Sequence, residues 1–345
     1  MKENMKPVSS LVTDGDGVGY GFRAVDGGCE ITEIRYPVSD GPEVLKIPSV
    51  LAGRPILSIG AHAFRNEERV LGPDRIVLPD TVKEIGDYAF AQGSMTEILL
   101  PCGLARIGES AFEECRELER IDLPRTVTEL GGSAFAACVS LRAIEVEEGN
   151  PAFSSVDGNL YTKDGTALLH YAAKCPLTSF TVPSGTAELP AFAFYGCEAL
   201  CEVTLPRGIT KIPLYAFCGC HSLVSVVLPE GIVDIGASAF EGCLSLRSVT
   251  LPSTLREIAR AAFWGCRALG EIALPPQLTA IGRAAFRWCT SLSSVVLPAC
   301  LLRLGGDAFF GCDALSVYAA APERPSGWSP DWNPANRPVI WGSKE

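Results

Sequence analysis

Residues 206–228 read Pro206-Arg207-Gly208-Ile209-Thr210-Lys211-Ile212-Pro213-Leu214-Tyr215-Ala216-Phe217-Cys218-Gly219-Cys220-His221-Ser222-Leu223-Val224-Ser225-Val226-Val227-Leu228. The same 23-residue phrase restarts without a gap at Pro229, Pro252 and Pro275, and again at Pro298. A period of roughly 20–50 residues is the signature of stacked coils, each too small to bury its own apolar side. This stretch therefore decides the fold class: a β-rich solenoid of 23-residue coils, built from short parallel strands joined by turns.

Each coil carries three marks. Leu246-x-x-Val249-x-Leu251-Pro252 alternates apolar and small or polar residues, which predicts a short strand ended by proline. Leu278-x-x-Ile281-Gly282 predicts a second short extended piece, with glycine assigned to a sharp turn. Ala285-Phe286-x-x-Cys289 places Phe and Cys three residues apart, which predicts one helical or 3₁₀ turn. The phenylalanine marks ten coils: Phe64, Phe90, Phe112, Phe135, Phe194, Phe217, Phe240, Phe263, Phe286 and Phe309. These side chains are the predicted core.

Composition narrows the function. The chain has 345 residues and a formal net charge of −11, so a nucleic acid or an anionic membrane surface is a poor partner. No apolar run reaches the ~18 residues of a membrane span, which predicts no membrane insertion. Lys2 and Lys6 precede no apolar segment, so the chain as written shows no secretory signal and is expected in the cytoplasm. Of the 14 cysteines, Cys115, Cys138, Cys197, Cys220, Cys243, Cys266, Cys289 and Cys312 each follow the marker Phe by three residues. They read as a packing position occupied by free thiols. Neighbouring rungs are nevertheless close enough for disulfides.

Outward from the repeats, residues 1–50 read as a loose tail and a β-hairpin split by Asp26-Gly27-Gly28, expected to cap the first coil. The solenoid spans 51–317. An insertion at about 146–180, with Asp157-Gly158 and Asp164-Gly165, reads as an inserted hairpin, either a binding feature or a decorated loop. Residues 318–345, with Trp328, Trp332 and Trp341, read as a C-terminal cap or as an exposed ligand for another domain.

No residue pattern points to catalysis. His62, His170 and His221 are scattered, and no His/Cys/carboxylate spacing matches a zinc site. Neither a nucleophile elbow nor a Walker loop is present. Asp14-Gly15-Asp16-Gly17 lacks the remaining ligands of a calcium loop and reads as a turn. No cofactor is expected. Two surfaces are candidates for binding. On the strand face, Glu97, Arg120, Asp122, Glu145 and Glu202 stand in outward columns, with Arg142 nearby, and the charge gathers in the early coils. They make either a solvated face or an acidic recognition strip. On the turn side, Tyr195, Trp264, Trp288 and Phe310 follow marker phenylalanines by one or two positions. They either pack locally or anchor a partner.

The phrase Leu-Pro-x-x-Leu-x-x-Ile-Gly-x-x-Ala-Phe-x-x-Cys-x-x-Leu, complete from Leu274 to Leu292, resembles the BspA-like class of bacterial leucine-rich repeats. The Asn150-Pro151…Val156-Asp157-Gly158-x-Leu160-Tyr161-x-Lys163-Asp164-Gly165 segment is similar to a hairpin of that family. Gly93 and Glu67 replace the rung Cys, and Pro213 and Ala259 replace the glycine. The resemblance implies a leucine-rich-repeat solenoid, a cell-surface or secreted location, a protein partner, an adhesion-related role and no catalytic residues. The favoured expectation is a non-catalytic protein–protein recognition scaffold. A purely structural surface component comes second and an enzyme third.

Overall fold

Proline after each strand and a left-handed residue at fixed points in each turn set the path of a coil. The computed structural model describes residues 10–36, 43–66 and 72–343. The expected tail before residue 10 and the rung position at Glu67 lie outside the described residues.

Within the turn segment, Tyr215 has φ 55° and Gly219 φ 75°. A left-handed residue swings its N–H out of the coil and along the stack. Tyr215 N donates to Ala237 O at 3.1 Å, and Gly219 N donates to Glu241 O at 2.8 Å. Between them, Phe217 N donates to Ala239 O at 2.7 Å. Inside the coil, Cys218 N to Tyr215 O and Cys220 N to Phe217 O close three-residue turns. The helical or 3₁₀ turn expected from the Phe–Cys spacing thus takes the form of linked turns. No described residue is helical, because a left-handed residue every fourth position ends any run of i→i+3 bonds.

The glycine of the Ile-Gly mark has a different reason from the one its sequence suggests. Gly282 is not among the left-handed residues. A Cβ there would stand 2.4 Å from Arg260 N in the preceding coil. Close approach of the backbones, not turn geometry, selects glycine.

The chain divides into two compact units at Asp164/Gly165, and the predicted solenoid is present in each. In the first, Ser10–Thr13, Gly19–Val25 and Gly28–Arg35 form an antiparallel meander. The last of these pairs in parallel with Arg54–Ile59, which leads to Glu84–Ile85, Arg106–Ile107 and Glu129–Leu130. A second parallel ladder runs through Val44–Lys46, Arg75–Val77, Glu97–Leu99, Arg120–Leu123 and Ala143–Val146. Phe153–Val156 and Asn159–Thr162 form the antiparallel hairpin read from the two Asp-Gly turns. Gly158 O accepts from Ile144 N at 2.8 Å, which holds the hairpin against the last strand of that ladder.

In the second unit, Ser179–Thr181, Glu202–Thr204, Ser225–Val227 and Ser248–Thr250 are parallel. Ser294–Leu297, Ser316–Ala319 and Val339–Trp341 form a separate parallel group. The two-residue strands Lys211–Ile212, Asp234–Ile235, Glu257–Ile258, Ala280–Ile281 and Arg303–Leu304 make the second ladder. In the 318–345 segment, Trp328 Nε1 donates to Leu301 O at 2.9 Å, and Trp332 meets Phe309 edge-on at 6.4 Å. Both tryptophans are buried.

The core of each unit is its phenylalanine column. Phe90 and Phe112 stack at 5.4 Å, and Phe112 and Phe135 at 5.6 Å. From Phe194 to Phe309 the rings are 5.0–5.4 Å apart and within 5° of parallel. The rung cysteines lie beside this column as thiols. Cys243 Sγ donates to Phe217 O at 3.1 Å, and Cys220, Cys266, Cys289 and Cys312 repeat the bond at 3.0–3.2 Å. The repeated Cys is therefore a donor to the preceding coil as well as a small apolar filler. Where Gly93 takes its place, the Met95 sulfur occupies the space a side chain would fill.

Candidate binding surfaces

On the strand face of the first unit, parallel pairing puts Arg75, Glu97, Arg120 and Ala143 side by side in register. Arg75 Nε lies 3.0 Å from Glu97 Oε2. Arg120 Nε donates to Asp122 Oδ1 at 2.7 Å, two residues along the same face, and Asp122 holds the guanidinium further toward its charged form. The strip read as acidic thus alternates in sign, because Arg75 enters the column and Arg120 sits within it. These exposed pairs are worth roughly 0–1 kcal/mol each, so they order the surface more than they stabilise the fold.

Glu145 stands in register with Asp122. The Ser155 hydroxyl of the inserted hairpin donates to Glu145 at 3.4 Å and accepts from Val146 N at 3.1 Å. Arg120, Asp122 and Glu145 come together around a shallow cleft of about 410 Å³. Glu97 lies outside this cleft. Arg142 pairs with Glu119 at 3.7 Å, away from it. Glu202 belongs to the second unit, in register with Ser179 and Ser225, and is exposed.

The strand face of the second unit holds a feature that the sequence columns do not show. Ser248–Thr250 pairs with Ser225–Val227 on one side and has no ladder on the other. On this face, among the described residues, the next coil pairs with its following neighbour through the single bridge Glu271–Ser294, beside which Ser293 N donates to Gly270 O at 3.1 Å. Arg247 N reaches Val224 O at 2.8 Å, but Gly270 N is 3.5 Å from Arg247 O. Pro276 directly follows Pro275 here. In the preceding coil Ser253 N, at the position of Pro276, donates to Glu230 at 3.1 Å. Pro276 has no N–H for that link and restricts the residue before it to extended backbone. The gap leaves a cleft of about 740 Å³. Leu251 and Leu274 on its floor are only half-buried, whereas Leu228 and Leu297 at the same position are buried.

On the turn side of the second unit, the structure separates Tyr195 from the other three aromatics. Tyr195 packs with Phe192 at 5.6 Å and meets Tyr215 edge-on at 6.3 Å. Trp264 and Phe310 sandwich the Arg287 guanidinium, at 5.6 and 4.5 Å from the ring centres. Arg287 also pairs with Asp307 at 3.4 Å. Trp288 meets Phe310 edge-on at 5.4 Å and keeps 41% of its surface exposed.

Trp288 occupies the left-handed position that is glycine in the other coils of this unit: Gly196, Gly219, Gly242, Gly265 and Gly311. Its φ is 62°. The first unit holds Gln92, Glu114 and Ala137 in the same conformation two residues after their marker phenylalanines, so the left-handed turn belongs to the coil and the tryptophan is what sets this one apart. Trp288 closes one end of a groove of about 360 Å³ that has Gly242 and Gly265 in its floor. Glu241 and Arg267 also line it. The sequence reading missed both, although each flanks a Gly-Cys pair one residue away.

Among the described residues, no group of three or more His, Cys, Asp or Glu side chains is placed to hold a metal ion. Nor, among the described residues, is any helix long and apolar enough to cross a membrane.

The sequence profile of the BspA type leucine rich repeat region matches six copies, over residues 45–157, 170–232 and 210–321. The chain belongs to the BspA-type leucine-rich repeat family. Solved structures agree on the fold. The pneumococcal vaccine antigen PcpA is 20% identical with a TM-score of 0.58, covering 98% of this chain and 100% of its own. A leucine rich cell surface protein from Faecalibacterium prausnitzii is 21% identical with a TM-score of 0.51, covering 98% and 96%. A search of curated protein sequences found no match.

Proposed function

We propose that this BspA-type repeat protein is a non-catalytic scaffold that recognises a protein partner through its strand face, in an adhesion-related role at the cell surface. The observation that carries the reading is the broken ladder between Ser248–Thr250 and Glu271–Leu274. An open strand edge beside half-buried leucines suits an extended peptide segment, which supplies backbone hydrogen bonds and an apolar side chain together. The rim adds the Ser248 and Ser294 hydroxyls and the exposed Glu271 carboxylate. A vaccine antigen and a cell surface protein among its structural relatives support the surface placement. In the same reading, residues 1–50 and 318–345 cap the first and last coils, the latter through Trp328 and Trp332.

Ala273→Arg tests this reading. Ala273 is exposed at the mouth of the cleft, so a long cationic side chain obstructs the cleft without touching the core. Immobilised native chain and variant are compared for retained proteins. A partner held by the native chain and released by the variant supports the reading. No retained protein, or the same proteins on both, overturns it.

A further inference from the structure

The groove on the turn side calls for an explanation that strand-face recognition does not supply. Five coils of the second unit spend a glycine on the left-handed position, and one spends a tryptophan. The ring of Trp288 lies against Gly311, where a Cβ would stand 2.4 Å from its Cε3. Gly311 thus makes room for the ring. The Gly242 and Gly265 floor is bare backbone. Glu241 and Arg267 line the groove from opposite sides of that floor in sequence, one preceding Gly242 and one following Gly265 by two residues. Among the described residues, neither side chain makes an ion pair or a side-chain hydrogen bond, so a planar acceptor and a planar donor both stand open to a ligand.

We propose that this groove binds one pyranose ring of a neutral glycan, stacked on Trp288 and held by Glu241 and Arg267. Three features select that ligand. One carboxylate and one guanidinium cancel in charge, which disfavours an anion or a cation. Vicinal hydroxyls both donate and accept, so they suit a carboxylate and a guanidinium together. The C–H face of a pyranose is apolar and flat enough to cover an exposed indole, an amphipathic match of the kind aromatic rings favour. The volume of about 360 Å³ falls at the small end of ligand sites, which run from roughly 300 to 1,000 Å³. The groove shares no residue with the strand-face cleft, so failure of one reading leaves the other standing.

The probes are the methyl glycosides of glucose, galactose, mannose and N-acetylglucosamine, followed by saturation-transfer NMR and tryptophan fluorescence on the full chain. At least one should bind saturably. Trp288→Gly, which restores the residue found in the neighbouring coils, should weaken that glycoside by at least about tenfold and should melt no lower than the native chain. Glu241→Gln and Arg267→Leu, both surface changes, should each weaken it as well and serve as the second test should the first variant misfold. The proposal is overturned if none of the four glycosides binds, or if binding survives Trp288→Gly or both of the other changes. It is overturned equally if N-acetyl-tyrosinamide binds at Trp288 while the glycosides do not, which would assign the groove to a protein side chain.

Discussion

The Cys266 thiol donates to the Phe240 carbonyl oxygen at 3.1 Å, one coil back, where both residues are fully buried. Burial also pushes the thiol of Cys115, in the equivalent place, up to about 12. Burial pushes the thiols of Cys138, Cys243 and Cys266 up as well, so these rungs are protonated donors, not nucleophiles, whereas at Cys312 the hydrogen bond with Cys289 lowers the thiol. Cys266→Ala removes the donor and leaves a small void, which should cost about 1–3 kcal/mol in urea melts. Thiol labelling of the native protein should modify the exposed Cys102 and Cys300 first. Denaturation without reductant should then bring the total of reactive thiols to all 14. Fewer released thiols would mean that rungs pair as disulfides.

Phe263 lies between Phe240 and Phe286 at 5.1 and 5.2 Å, with its ring nearly parallel to both. Truncation removes two stacking contacts and opens a cavity that the rigid coil backbone cannot collapse. Phe263→Ala should cost roughly 3–5 kcal/mol, measured by equilibrium urea unfolding. A loss below about 1 kcal/mol would contradict a close-packed column.

The two kinds of column differ in how far sequence alone exposes them. Phe263 and Cys266 are legible because each copy repeats them and packing demands one residue type at one height. The hairpin at Phe153–Thr162 is legible because Asp157-Gly158 is a local turn signal. The ladder gap at Glu271–Leu274 is not: Pro276 is visible in the sequence, but its effect falls on hydrogen bonds between two coils. Trp288 stands out as an aromatic, yet its left-handed backbone shows only when it is set beside Gly265 and Gly311 in the phrase. Arg75 escapes the charge columns because the early coils are irregular, with 26 residues from Phe64 to Phe90. The sign alternation it brings to Glu97 and Arg120 becomes visible only with the strand register.

His170 is buried, and desolvation pushes it down to about 4. The unfolded chain keeps the ordinary value near 6.5. As pH falls through 6.5 the unfolded state therefore takes up a proton that the native state refuses until about pH 4. Stability is full above about pH 6.5 and declines between 6.5 and 4. Between pH 7 and pH 5 the loss from this residue should be about 2 kcal/mol. His170→Leu should flatten that part of the profile in paired urea melts.

Glu97, Asp122 and Glu145 carry the negative half of the alternating strand face, opposite Arg75 and Arg120. Reversing all three to lysine replaces attraction with repulsion at Arg75 and Arg120. Because the side chains are exposed, the fold should lose no more than about 1–2 kcal/mol in total. The field over the cleft beside the hairpin changes sign, and charge at the rim of an interface acts mainly on association rate and partner choice. A partner captured through this face should be lost in the triple variant. For the native chain, its capture should weaken as salt rises from about 50 to 500 mM, over which the screening length shrinks from about 14 to 4 Å. Capture that neither salt nor charge reversal alters would remove Glu97, Asp122 and Glu145 from the recognition surface and leave the cleft at Ala273 as the remaining strand-face contact.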